Sequence, residues 1–174
     1  MFLGFIVFAA IVAAALWFVS TYNYLVATKQ RVARAWANLD VPVRERHDEL
    51  PRLVEICAKY LRNDQAALDR VLEARSAIFA ARHSFDPAVL GRAEIDLRRE
   101  LGTLLSLAEG DRDLAADKHF GILSRRLAEI GEQIGERRKL YNDAVNENNI
   151  AIEQFPGRWV AGIGAFRTFE PLDF

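Results

Sequence analysis

The sequence predicts an all-α protein, with an N-terminal transmembrane helix followed by an elongated antiparallel four-helix bundle or coiled coil. Eighteen residues from Phe2 to Val19 carry no charged or amide side chain, and as a helix they would cover roughly 27 Å, about one hydrocarbon core. Beyond them, apolar residues recur at helical steps of three, four and seven, and no alternating pattern of useful length indicates a strand. We therefore expect three regions: an anchor at 1–21, a long-helix bundle at 22–154 and an aromatic membrane-proximal tail at 155–174.

The composition limits the function classes. In 174 residues, 23 Lys and Arg balance 24 Asp and Glu, for a formal net charge of -1. This balance excludes a broadly basic nucleic-acid-binding protein, so we expect no nucleic-acid partner. The single cysteine, Cys57, cannot form an internal disulfide, and on an apolar helical face a small buried residue is expected rather than a reactive thiol.

The apolar run has two interpretations, a retained anchor and a cleaved signal peptide. A signal peptide begins with basic residues and ends at a small-residue cleavage site. Here no Lys or Arg precedes the run, and it continues directly into a helical pattern, which favours the retained anchor. Lys29, Arg31 and Arg34 follow it, so the positive-inside rule places the amino terminus outside and the helical domain in the cytoplasm.

The first helix after the membrane is expected to continue from the anchor to about Tyr60. One apolar stripe runs along it without a change of register, although Pro42 and Pro51 should cause kinks or a brief break. A second helix is expected from about Asp64 to Arg82.

The third and fourth helices have clearer boundaries. Asp86 is the expected N-cap of the third, Pro87 its first residue and Gly110 its end. The fourth carries an apolar stripe from Phe120 to Ile152. Because the first and fourth helices are longer than the others, the four-helix core should be distal, and the part near the membrane should be a two-helix stalk. Two helices cannot bury such a stripe as four can, so we expect self-association there.

A set of spaced residues runs along essentially the whole chain. Its members are Tyr22-Asn23, Leu25-Val26, Val32, Ala35-Trp36, Asp40-Val41, Arg46, Leu50-Pro51, Leu53-Val54, Ala74-Arg75, Phe120, Leu127, Tyr141-Asn142, Val145, Asn149, Ile152 and Phe155-Pro156. This set resembles the LemA family. The resemblance implies a bacterial inner-membrane protein with one amino-terminal span, a long helical bundle and no established enzymatic activity; relatives include a magnetosome-associated member.

Several amides should meet at the membrane-proximal end, because the fourth helix ends near the start of the first. Amides at a helix seam set register and partner number, although solvated surface positions, local caps or a ligand site are alternatives. The expected assembly and register residues are Asn23, Val32, Trp36, Tyr141, Asn142 and Asn149.

Aromatic and basic residues at both ends of the helical domain are expected at the membrane interface. The tail returns towards the bilayer, where it could contact lipid, contact a neighbouring subunit or fold back over its own stalk. The predicted membrane-interface residues are Trp17, Tyr22, Tyr24, Lys29, Arg31, Arg34, Trp159, Phe166 and Phe169.

Motifs for catalysis, cofactors or metals do not appear in the sequence. His47 lies in the charged run Arg44–Glu49, which is expected to be a solvated face, and His83 and His119 are isolated. We expect no enzyme activity, no cofactor and no metal. The favoured function is a membrane-anchored, self-associating scaffold that organises or shapes the inner membrane, in contact with lipid. The alternative is a membrane-tethered adaptor that binds an unidentified protein through its distal bundle.

Overall fold

The computed structural model describes residues 2–84 and 86–174, so Met1, the first residue of the predicted anchor, lies outside the described residues. Within this described part the chain is all-α, with six helices and no strand, which confirms the predicted fold class. The helices are α1 Phe2–Tyr60, α2 Gln65–Ser84, α3 Pro87–Gly110, α4 Arg112–Ala115, α5 Lys118–Glu153 and α6 Gly157–Gly164.

Aspartate caps set several of these boundaries. The side chain of Asp86 accepts hydrogen bonds from the backbone N–H groups of Ala88 and Val89 at 2.9 and 3.2 Å, with Pro87 as the first residue of α3. This satisfies donors that the first helical turn leaves without partners. The cap and Gly110 confirm the predicted ends of α3. Asp111 caps α4 in the same way, and this short helix was not predicted from the sequence.

Helix α1 continues without interruption through Pro42 and Pro51. The alternative of a brief break is therefore wrong, and the continuous helix that the unchanged register predicted is confirmed. Pro42 is buried, as are Leu39 and Val43 beside it. Packing on both sides of the proline stabilises a helix that lacks one backbone hydrogen bond at that turn.

The contacts within the chain divide it into two compact units. Unit 1 comprises the chain up to Trp36 together with Leu140–Pro171, and unit 2 comprises Ala37–Lys139 together with Leu172–Phe174. This division is separate from the three regions predicted from sequence, which stay a prediction.

In unit 2, α1 and α2 form an antiparallel pair. Asp40 of α1 pairs with Arg82 of α2, whereas the backbone carbonyl of His47, further along α1, accepts a hydrogen bond from Arg75, earlier on α2. The opposite order along the two helices shows that they run antiparallel. The core of this unit is aliphatic and includes Val43, Leu50, Leu53, Leu68, Val71, Ile78, Leu97, Leu104, Leu114, Ile130 and Ile134.

The last three residues of the chain also pack in unit 2. Leu172 is buried, and the ring of Phe174 lies 5.0 Å from the guanidinium carbon of Arg138 and 5.9 Å from that of Arg98. Such contacts draw a cation towards the negative face of the ring. A Cβ atom on Gly91 would lie 2.7 Å from the carbonyl oxygen of Asp173, so this glycine makes room for the C-terminal backbone.

Candidate functional site

The candidate site lies in unit 1, where α1 and α5 run side by side. The Thr28 hydroxyl lies 3.2 Å from the side-chain oxygen of buried Asn148. Further along α1, the rings of Trp36 and Tyr141 meet edge to face, with centroids 5.4 Å apart. Rising residue numbers on α1 thus meet falling numbers on α5, which gives an antiparallel pair with a defined register.

The tail folds back over this pair within the same chain. Val160 and Ala161 of α6 form a buried cluster with Leu25 of α1, and Phe166 packs against it. The entry to α6 depends on Gly157, because a Cβ atom there would lie 1.8 Å from the carbonyl oxygen of Ala151. The last turn of α5 and the start of α6 can approach this closely only without a side chain.

Three side chains of α5 hold the tail backbone beyond α6; we call Tyr141, Asn148 and Asn149 the tail clasp. Asn149 both donates to the carbonyl of Phe169 at 2.9 Å and accepts from its N–H at 3.0 Å. Asn148 donates to the carbonyl of Arg167 at 3.4 Å. The hydroxyl of Tyr141 donates to the carbonyl of Glu170 at 3.0 Å. The clasp therefore satisfies main-chain groups in a segment that has no secondary structure of its own.

The hydroxyl of Tyr141 is suited to a permanent donor role. Burial raises the pKa of this phenol above its ordinary value, and the negative charge of Glu170 adds to the effect. Both factors favour the neutral form. Tyr141 thus keeps its proton, and the hydrogen bond to the tail, throughout the neutral pH range.

The expectation that the apolar stripe between α1 and α5 near the membrane is left exposed is wrong. Leu25, Val32, Tyr141 and Val145 are all at most 2% exposed. Leu25 is covered by α6, which the sequence analysis did not identify because three glycines interrupt its short apolar pattern. Of the three alternatives for the tail, the fold-back over its own chain is the one seen here.

The predicted assembly residues fall into two groups. Trp36 and Tyr141 meet at the seam between α1 and α5. Tyr141 and Asn149 form hydrogen bonds with the tail, and Val32 is buried in the same unit. Asn142 is half-buried, whereas Asn23 is exposed. The sequence analysis missed Thr28. Its position between Leu25 and Val32, at the helical spacing of the buried residues, is the feature that could have identified it.

The predicted membrane-interface residues also differ in their surroundings. Trp17 contacts Phe155, with ring centroids 5.8 Å apart, and Tyr22 meets Phe166 edge to face at 5.5 Å. Phe166 and Phe169 are half-buried, and Phe166 packs against the cluster of Leu25, Val160 and Ala161. The interfacial role of Phe166 and Phe169 stays a prediction. The same holds for four exposed residues, Tyr24, Lys29, Arg34 and Trp159. Arg31 is exposed and pairs with Glu147 of α5.

In unit 2, the charged run Arg44–Glu49 is not simply a solvated face. Arg46 is 5% exposed and forms an ion pair with Glu94 of α3, which is 1% exposed. Within the described residues, Arg46 Nε and Glu94 Oε2 have no hydrogen-bond partner. The charge pattern of α1 could not predict this pair, because the partner lies on another helix, far along the chain.

The remaining candidate reactive groups are also in unit 2. Cys57 is buried, which confirms the expected small buried residue, and burial raises the pKa of its thiol to about 11. His47 stacks on Phe79 with ring centroids 5.2 Å apart, and burial lowers its pKa. Across residues 2–84 and 86–174, no group of three or more His, Cys, Asp or Glu side chains is placed to hold a metal ion.

The start of α1 is long and apolar enough to cross a membrane. Its best window has a mean hydropathy of 2.7, and none of that window is buried by the rest of the chain. Beyond this segment, the family model described as the LemA family matches residues 35–174. That range includes the tail clasp and all of unit 2. No curated protein matches the chain.

Proposed function

The chain belongs to the LemA family, and we propose that it is a membrane-anchored helical scaffold that self-associates and organises or shapes the inner membrane without catalysing a reaction. The observation that carries the proposal is the tail clasp. The side chains of the tail clasp on α5 form hydrogen bonds with the chain's own tail. The segment beside the anchor is therefore a packed unit. This supports a scaffold role, because unit 1 then holds a defined shape next to the span.

The anchor sets the proposed location. Lys29 and Arg34 are exposed just after the apolar run, and basic residues there favour the cytoplasmic side. We place the amino terminus outside the inner membrane and the helical domain in the cytoplasm.

Self-association must use surfaces other than the buried seam. In the anchor, Ala9 and Ala13, like Ala10 and Ala14, lie four residues apart, and small residues at this spacing let membrane helices approach closely. Next to the anchor, unit 1 has an open cleft of about 430 Å³ whose lining includes Tyr24 and Ile150. A second copy that packed along the anchor would reach this cleft, because Trp17, Thr21 and Tyr24 of its lining continue the helical spacing of Ala10 and Ala14 along α1.

The mass of the full-length protein in lipid nanodiscs, measured by light scattering, tests this proposal. We expect a discrete oligomer. Ile150→Ser, in the cleft, should lower the mass, whereas Ile122→Ser, at an exposed position of unit 2, should leave it unchanged. A wild-type monomer at all protein-to-lipid ratios would refute self-association.

A membrane-tethered adaptor is the second candidate, because unit 2 also exposes large apolar side chains. They are Val41, Phe79, Ile95 and Ile122. Here Ile122→Ser should weaken capture of a partner while leaving the mass unchanged. Charge reversal at Arg44 is a suitable companion variant because Arg44 is exposed, whereas reversal at buried Arg46 would damage the fold.

A further inference from the structure

Helix α6 is apolar on two opposite faces. Gly157, Val160 and Ala161 face inwards, at the spacing of one helical face. Trp159 and Ile163 are four residues apart on the other face, and they are 74% and 77% exposed. A surface helix normally has a polar outer face; a helix that is apolar all round is covered by protein or lipid on both sides. The chain covers only the inner face of α6.

The position of α6 relative to the anchor indicates what covers the outer face. Phe155, two residues before α6, lies against Trp17 of α1, with ring centroids 5.8 Å apart. Trp17 is two residues before the end of the apolar run at Val19, which is about 3 Å of helix rise. When the run crosses a bilayer, Trp17 and Phe155 therefore lie at the boundary between hydrocarbon and headgroups.

A second aromatic contact holds the other end of α6 near the same level. Phe166, two residues beyond α6, meets Tyr22 of α1 at 5.5 Å. Both ends of the helix are thus fixed to a short stretch of α1, from Trp17 to Tyr22, at the end of the apolar run. Between them, the outer face presents Trp159 and Ile163 at the height where Trp favours the membrane surface.

The charges around α6 are compatible with a lipid surface. Arg158 and Arg167 are exposed and flank the outer face, while Glu153 precedes it. Two cations at the interface are attracted to anionic headgroups. Of the large exposed apolar side chains that the structure describes beyond the anchor run, Phe155, Trp159 and Ile163 have the highest exposed fractions, and all three belong to this segment.

We infer that α6 is an interfacial helix whose outer face, with Trp159 and Ile163, inserts into the lipid surface of the bilayer that the anchor crosses. The partner of this face is lipid with an anionic component. The inference rests on the anchoring part of the proposed function and does not depend on self-association. It gives the chain a second membrane contact beside its span.

Quenching of tryptophan fluorescence by brominated lipid tests the inference. Full-length protein is reconstituted in vesicles of phosphatidylcholine with one quarter phosphatidylglycerol, with the phosphatidylcholine either plain or brominated near the top of its acyl chains. Three variants separate the three tryptophans: Trp17→Phe leaves Trp159 and Trp36, Trp159→Phe leaves Trp17 and Trp36, and the double variant leaves Trp36 alone. Trp36 is the common background, because it lies seventeen residues beyond Val19, or about 25 Å along the helix.

We expect brominated lipid to reduce the Trp159 signal roughly twofold and to leave Trp36 almost unaffected. Trp17 should also be quenched, which reports on the anchor independently. If Trp17 is quenched and Trp159 is not, the anchor is inserted and the inference about α6 is overturned. If neither is quenched, the membrane anchoring itself fails.

A second copy of the chain covering α6 is a separate outcome. In that case Trp159 would be shielded from brominated lipid in crowded vesicles, and its emission would shift to the red on dilution with lipid. This result would also overturn the inference. Quenching that persists unchanged on dilution supports lipid as the occupant.

Discussion

Asn149 and Phe169 are joined by two hydrogen bonds, in which the amide of Asn149 donates to the carbonyl of Phe169 and accepts from its N–H. One side chain on α5 thus replaces the partner strand that the extended tail lacks. The tail backbone is fixed at this point, and the residues before and after it pack on the chain's own helices.

Replacing Asn149 with Ala should free the tail at this point. Two backbone groups lose their partners, and the expected loss of local stability is about 1–3 kcal/mol. Hydrogen exchange of the Phe169 amide should become faster by the corresponding factor. Asn146→Ala, at an exposed position of the same helix, is the matched control, and equal exchange in both variants would contradict the role of the clasp.

Gly157→Ala should displace α6 from α1. The added methyl group would lie 1.8 Å from the carbonyl oxygen of Ala151, and such overpacking costs about 1–3 kcal/mol. Exchange of the Phe166 amide, which donates to the carbonyl of Ala161, should increase. Gly131→Ala in α5 meets open space and should be neutral or stabilise by up to about 1 kcal/mol; if both variants behave alike, the close approach at Gly157 is not required.

Glu94→Ala should be among the most destabilising substitutions in unit 2. It would leave the buried guanidinium of Arg46 without its carboxylate, which costs about 3–5 kcal/mol. Replacing both residues with Met should restore much of the stability, because a hydrophobic pair of similar volume avoids the buried charge. Arg52→Ala, which removes an exposed pair with Glu49, is the control. In denaturant unfolding it should lower the free energy of unfolding by less than about 1 kcal/mol. A small effect of Glu94→Ala would contradict the buried pair.

Asp40 should make the stability of unit 2 sensitive to acid. The hydrogen bond from Arg82 holds the pKa of this carboxyl below its ordinary value, against the opposing effect of burial. Because the unfolded state then binds the proton more readily, the contribution is present above about pH 4 and is lost as the pH falls through the lower folded pKa. Urea unfolding at several pH values should show a smaller acid dependence for Asp40→Asn. Asp143→Asn, at an exposed position, should keep the wild-type dependence; an unchanged profile for Asp40→Asn would contradict the prediction.

Local signals in the sequence were sufficient for most of the helices. Asp86, Pro87 and Gly110 predicted both ends of α3 because caps act over a few residues. The exposed stalk was predicted wrongly for the opposite reason. Val160 and Ala161, which pack on Leu25, lie far along the chain. Helix α6, between glycines, lacks a helical period long enough to be recognised.

The candidate site was predicted in part. Tyr141 and Asn149 were expected to set register or assembly, which stays a prediction, and the structure places both in the tail clasp. Their partners could not be predicted, because Phe169 and Glu170 contribute backbone groups that every residue has. The buried pair of Arg46 and Glu94 was missed since charge patterns on one helix do not show what faces it from another.

The central claim of this account is that the tail closes over its own chain, and cross-linking tests it most directly. Cysteines are introduced at Tyr22 and Phe166, whose rings are in contact, in a Cys57→Ala background, and the membrane-reconstituted protein is treated with a short bismaleimide. The single-cysteine variants show any linking between chains. We predict a cross-linked product at the mass of one chain, 19.7 kDa. A product at twice that mass, absent from both single-cysteine controls, would place the tail on a neighbouring chain and contradict the account.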